Sequence, residues 1–309
     1  MSRGRVVWGI TLSAFVLIIL LLAAITVYVL AKVTFPERRT SVLTPRSLFL
    51  DCRDVKFQTA DGVGLAGYYV PADGSVPIIL CHDFGWKKED MLALAAMLHE
   101  AGYPALLFDF RHHGKSGGGM STLGAREKLD VLAAVEFLKS SGKGGKIGLL
   151  GVSMGAYAGA LAATEVEELA ALVLVDPYPN LSLYFHDRVE ELFNIDRGPL
   201  PWILEHVFTA YTHTTGDQWA LDRALPGLSK KAVLFVSSHQ DPRNDQYCRD
   251  LYDITPEPKE LTAIDGFQKA MRLGTEKDQV RTRVIRFFND FLPGSARPPK
   301  VIKARPGER

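Results

Sequence analysis

Cysteine is scarce in this sequence. Cys52, Cys81 and Cys248 are the only three, and no two of them have C-x-x-C spacing. An odd, scattered set supports neither a disulfide framework nor a zinc centre, and free thiols of this kind are ordinarily buried. An excess of one charge is lacking too. The formal net charge is +1, so bulk electrostatics points to neither nucleic acid nor an acidic partner. Metal-ligand spacing is missing: His112 and His113 are adjacent, and adjacent side chains diverge in regular structure. Gly117-Gly118-Gly119 lacks the Lys-Ser/Thr of a phosphate cradle, and no dinucleotide motif occurs. No metal and no cofactor is therefore expected. Histidine is absent from the last part of the chain, none of the eight lying beyond His239.

Long uncharged runs are confined to one place, Val6 to Ala31. A bilayer core requires about 20 apolar residues of helix, whereas the apolar core of a cleaved signal has about 7–15. The length predicts an uncleaved, single-pass membrane anchor over residues 6–31, preceded by a short basic tail, 1–5. The flanking basic residues do not fix the side of the membrane. Long domains translocate largely regardless of charge, which tilts the expectation to a body outside the cytoplasm. Residues 32–50 hold Pro36, Pro45 and several basic residues and read as a linker; residues 294–309 read as a basic, Pro-rich, disordered tail.

Between them, residues 51–293 alternate short apolar runs with helical spacing. Asp54–Gln58 and Leu65–Val70 flank Asp61-Gly62 as a hairpin. Pro77–Cys81, Ala105–Phe108, Lys146–Leu150, Ala171–Val175 and Ala232–Ser237 read as strands buried on both faces, with Leu261–Ile264 a further candidate. Helices are expected over Glu89–Ala101, Ala125–Lys139, Met154–Ala163 and Val280–Phe291. This rhythm predicts an α/β domain with a mostly parallel sheet covered on both sides. The aromatic-rich stretch of about 177–230 interrupts it and is expected to form a helical cap between strands 6 and 7.

Gly151-Val152-Ser153-Met154-Gly155 matches G-x-S-x-G. A buried strand runs into it and a helix of small residues runs out. That context projects a serine hydroxyl from the sheet edge on a strained turn, at a helix N-terminus that favours developing negative charge. From about Val55 to Leu292 the chain resembles the α/β-hydrolase superfamily, in its bacterial esterase and serine-aminopeptidase-like branch. The resemblance rests on Asp61-Gly62-Val63-Gly64-Leu65, on Ile79-Leu80-Cys81-His82-Asp83-Phe84-Gly85, on Asp109-Phe110-Arg111-His112-His113-Gly114-Lys115-Ser116, on the elbow, and on Gln240-Asp241-Pro242 after an apolar strand. It implies that Ser153 is the nucleophile, that the backbone N–H groups of Met154 and Phe84 form the oxyanion hole, and that Asp241 is the acid. Asp176 is a rival for that last role.

The resemblance also implies a histidine after the last strand, where this chain reads Asp265-Gly266-Phe267-Gln268-Lys269. Gln268 cannot accept a proton at neutral pH, and Lys269 is expected to be a solvated surface residue. His239 is the substitute base expected from sequence. His82 and His213 are further candidates, and His112 and His113 are expected to be surface or packing residues. Asp83 stands where the family usually has glycine, and a carboxylate there opposes oxyanion formation unless it points away. Two readings follow: an acyl hydrolase acting on an ester, thioester or peptide through Ser153, or a degenerate member that binds a small molecule, peptide or partner beneath its cap.

Overall fold

The computed structural model describes residues 3–36, 43–195, 197–214, 220–238, 242–267 and 277–292. A first helix, α1 (Arg3–Thr34), leads into eight strands that form one sheet. The strands are β1 (Arg53–Gln58), β2 (Gly64–Val70), β3 (Ile78–Cys81), β4 (Ala105–Phe108), β5 (Ile147–Val152), β6 (Leu169–Val175), β7 (Ala232–Ser237) and β8 (Lys259–Ala263). Their order across the sheet is β1-β2-β4-β3-β5-β6-β7-β8. Only β1–β2 and β2–β4 pair antiparallel, and the rest is parallel. The expected α/β-hydrolase architecture is the one found.

Strands β3, β4, β5 and β7 are buried along their whole length, which is why they read as unbroken apolar runs. Alternate side chains still separate into two cores. Ile79, Phe108, Leu149 and Leu174 face α3 (Glu127–Leu138) and α4 (Met154–Ala163). Ile78, Leu107, Leu150, Val173 and Val236 face α2 (Leu92–Glu100) and α9 (Lys277–Phe291). Each buried aliphatic side chain is worth about 1.5–3 kcal/mol of transfer free energy. The registers Cys81↔Gly151, Val152↔Val175 and Val175↔Val236 bring the carboxyl ends of four adjacent strands level, forming one rim.

Between β6 and β7 lie α5 (Leu181–Phe193), α6 (Leu200–Thr212) and α7 (Leu221–Ala224). Asn180 caps α5 by accepting the Leu183 N–H at 3.0 Å. Phe185 of α5 meets Phe208 of α6 edge-on, ring centroids 5.3 Å apart. After β7, α8 (Pro242–Ile254) packs on the outer strands.

The helix α1 is long and apolar enough to cross a membrane, with a mean hydropathy of 3.0 in its most apolar window. Most of its large side chains from Val7 to Leu21 are exposed, whereas Thr26, Val29, Leu30, Val33 and Thr34 are buried. Its foot packs against α6 and joins the same core as the cap. It runs three residues past the expected span, through Thr34, whose carbonyl accepts the Ser121 N–H at 3.0 Å. The Phe35 ring then stands edge-on to His112 at 5.5 Å.

Candidate active site

Strand β5 ends at Val152, and α4 begins at Met154. The whole reversal falls on Ser153, with φ 48° and ψ −108°. A non-glycine residue there carries a strain of about 1–3 kcal/mol. The surroundings hold it in place: its N–H donates to the Val175 carbonyl at 2.8 Å, and its carbonyl accepts the Tyr157 N–H at 2.9 Å. Two glycines make the turn possible. A Cβ on Gly155 would run into the Cys81 and His82 carbonyls, and one on Gly151 would collide with the Gly155–Ala156 backbone. The helix N-terminus is thereby pressed against the end of β3.

That end of β3 carries His82, Asp83 and Phe84. The Asp83 carboxyl oxygen Oδ1 accepts the N–H of Phe84 at 2.6 Å and that of Met154 at 3.3 Å. These are the two groups expected to form the oxyanion hole. The Ser153 side chain lies near enough to the same carboxyl to pull its pKa down. Asp83 therefore does not point away; it occupies the position between the two N–H groups. Removal from water under the cap pushes its carboxyl up to about 6, against the opposing pull of Ser153, the two N–H groups and the Arg188 charge.

The histidines nearest the rim are committed elsewhere. His82 is fully buried, its Nδ1 donating to the Asp83 carbonyl at 2.7 Å and its Nε2 accepting the Phe110 N–H at 3.0 Å. His113 donates from Nδ1 to the Arg111 carbonyl at 2.8 Å and accepts the Gly85 N–H on Nε2 at 3.2 Å. Burial lowers the pKa of both, so both are neutral braces of the β3 and β4 turns. His112 lies beside the Gly118 carbonyl, and His213 is the exposed left-handed C-cap of α6. Among the described residues no histidine is paired with Ser153.

Asp176 ends β6 beside the elbow, at φ 46° and almost fully buried. Its Oδ1 accepts the Ser238 N–H at 2.9 Å, so it ties the ends of β6 and β7 together. His239, Asp241, Gln268 and Lys269 lie outside the described residues. The Asp109-x-Arg111 turn is structural. Asp109 accepts the buried Lys88 ammonium at 2.7 Å and the N–H groups of Lys88 and Lys115, both at 2.8 Å. Arg111 bridges Asp61 and Asp130 at 2.8 and 2.7 Å.

A cleft of about 410 Å³ opens beside Phe84. One wall is the foot of α1, with Tyr28, Lys32, Val33 and Phe35. Another is Phe84-Gly85-Trp86, and the third is α5, with Tyr184, Arg188 and Leu192. The Arg188 guanidinium lies 5.5 Å over the Tyr184 ring and is paired with Glu191 at 2.7 Å. Sequence reasoning did not single out Arg188. Its signal was weak: a cation four residues after Tyr184, on the same face of a helix whose far side is apolar.

The alpha/beta hydrolase family profile matches residues 78–300. An uncharacterized protein of Bacillus subtilis, YqkD, is 37% identical over 241 residues, covering 75% of this chain and 78% of YqkD. The polyketide transferase GrgF of Penicillium is 25% identical over 273 residues, 74% of this chain and 90% of GrgF. The solved structure of the Pyrococcus furiosus esterase Pf2001 matches with a TM-score of 0.67 at 25% identity, covering 84% of this chain and 99% of the esterase.

Proposed function

Because this chain belongs to the alpha/beta hydrolase family, we propose that it is a membrane-anchored serine hydrolase of carboxylic esters, with thioesters and peptides as the neighbouring acyl substrates. The observation that carries this reading is the convergence at the elbow. A strained serine, the N-terminus of α4 and two N–H groups all meet at one point. A carboxyl oxygen, that of Asp83, already rests between those N–H groups, where an acyl oxygen would sit as attack turns it into an alkoxide. The names of two relatives, an esterase and a polyketide transferase, fit hydrolysis or group transfer.

In the proposed reaction Ser153 Oγ bonds to the acyl carbon while its proton passes to a base. The carbonyl π pair moves onto oxygen, held by the Phe84 and Met154 N–H groups. Collapse expels the alcohol and leaves an acyl-enzyme that water hydrolyses by the same route. Asp83 must swing out for the acyl oxygen to enter. We assign the base to His239, oriented by Asp241 or Asp176, because β7 ends at this rim at Ser237, two residues before His239 in the sequence. The helix α1 holds the body at the bilayer.

The test is labelling of the full chain in detergent by a fluorophosphonate probe. Wild type is expected to label, and Ser153→Ala and His239→Ala are expected not to. A wild type that stays unlabelled, as does Asp83→Gly, overturns the reading. One observation favours a second reading in that case: Asp83 fills the hole, as in a fold kept for binding without turnover.

A further inference from the structure

We propose that the site takes its ligand from the bilayer, and that this ligand is a phospholipid-like amphiphile: an acyl chain joined to an anionic headgroup. The inference deepens the reading of Ser153 as the reactive group, but it concerns binding and is testable without turnover.

Geometry comes first. The cleft beside the oxyanion residue Phe84 has the foot of α1 as one of its walls, through Tyr28, Val33 and Phe35. With 32 residues at about 1.5 Å each, α1 is about 48 Å long, whereas a bilayer core is about 30 Å thick. Counting about 20 residues from Val7, just past the last N-terminal charge at Arg5, the hydrocarbon region stops near Thr26. Tyr28 to Phe35 then fall about 3–14 Å beyond it, in the headgroup layer and just past it. Thr26 is also where burial of α1 against the body begins. The docked part of the helix and the part past the hydrocarbon are thus the same part.

The second observation is the outside of the cap. Leu192, Ile195, Trp202, Val207 and Tyr211 are all at least 40% exposed. They lie on α5, on α6 and on the segment joining them, and α6 is the helix packed against α1. Exposed aromatic and aliphatic side chains on the helix that packs against the foot of α1 match the kind that membrane proteins place at the interface. A single exposed leucine means little, but five beside the foot of an apolar helix form a surface suited to lipid.

The third is charge. Among the described residues, the charged side chains lining the cleft are Lys32 and Arg188, the latter also paired with Glu191 at 2.7 Å. Arg188 is near enough to Asp83 to pull its carboxyl down. A headgroup phosphate beside Arg188 and Lys32 would leave the ester of an adjacent acyl chain toward Phe84, and the chain itself along Val33, Leu192 and the bilayer. A water-soluble short ester uses neither the apolar wall nor the two cations.

The experiment uses the full chain in nanodiscs of phosphatidylcholine containing a trace of phosphatidylglycerol with a diazirine on its acyl chain. Crosslinked peptides are mapped by mass spectrometry in wild type and in Ser153→Ala. We expect crosslinks on the 84–86 and 184–192 segments, in Ser153→Ala as in wild type. We expect about tenfold fewer in Arg188→Glu with the phosphatidylglycerol probe, since losing a charged hydrogen bond is worth about this factor, and a smaller loss with a phosphatidylcholine probe carrying the same diazirine, whose choline cation offsets its phosphate. Crosslinks confined to residues 7–25 in the wild-type chain would overturn the inference whether or not Arg188→Glu folds. So would equal capture of both headgroups together with equal competition by a water-soluble short-chain ester. Fluorophosphonate labelling reads the catalytic proposal separately, so a chain that captures lipid but never labels refutes that proposal alone.

Discussion

The Asp83 carboxyl bridges the end of β3 and the start of α4: its Oδ1 accepts the Met154 N–H at 3.3 Å and the Phe84 N–H at 2.6 Å. The resting site is therefore closed by its own side chain. In the proposed reaction an entering acyl oxygen would compete with this carboxyl for the same two donors at the step where charge develops.

Removing that competitor should expose the reactivity. Asp83→Gly is expected to raise the rate of fluorophosphonate labelling at Ser153 by about 10²-fold, the usual worth of an oxyanion-hole donor. Asp83→Asn, whose amide oxygen still accepts both N–H groups, should change it far less. Labelling rates at fixed probe concentration decide the matter. A fall in Asp83→Gly would instead make Asp83 the proton acceptor.

The same carboxyl should leave a signature in stability. Its folded value of about 6 lies above the ordinary 3.8. Between those values the folded chain binds the proton more tightly than the unfolded one, so this group's contribution to stability falls as pH rises from about 4 to 6 and stays low above that. Asp83→Asn lacks the penalty. Its Tm relative to wild type is expected to be higher at pH 7.5 than at pH 4.5, as read by thermal melts in the same detergent. An offset independent of pH would show that the carboxyl titrates normally.

Ser153 holds a conformation that glycine adopts freely. Ser153→Gly should abolish labelling and yet stabilise the fold, by about 1 kcal/mol once the flexibility of glycine in the unfolded chain is set against the relieved strain. Ser153→Ala abolishes labelling without this gain. Paired denaturant curves of the two variants isolate the strain.

Lys88 and Asp109 form a buried ion pair at 2.7 Å that fixes the loops after β3 and β4. Asp109→Ala strips the buried Lys88 ammonium of the nearer of its two carboxylates, leaving Glu89 at 3.2 Å, and removes the acceptor of the Lys88 and Lys115 N–H groups, and is expected to cost about 3–5 kcal/mol. Denaturant midpoints should show it, with Asp109→Asn, whose amide oxygen still accepts an N–H, losing less.

The elbow and the strands were legible in the sequence because both are local. An apolar run entering G-x-S-x-G and a helix of small residues leaving it describe the backbone path without any long-range fact. The direction of Asp83 was not legible. Its position beside the hole was evident from the resemblance, but whether it faced in or out depends on Met154, which is remote in sequence. Lys88 and Arg188 were missed for the same reason. One is buried only because Asp109 is across from it, and the other matters only because the cap folds over β3. His82, a candidate base in the sequence, has both ring nitrogens engaged with backbone groups, contacts that only the fold reveals. The end of α1 was misplaced into a linker because Lys32 breaks the uncharged run, although the helix continues through it to Thr34.

The Ser121–Thr34 hydrogen bond and the burial of Val29, Leu30 and Val33 have a practical corollary. The customary route to a soluble sample, trimming away the leading apolar helix, would here amputate part of the body. The cut would bare the cap's inner face and demolish one side of the entrance. Specificity measured on such a fragment would describe a different opening from the one the whole chain presents.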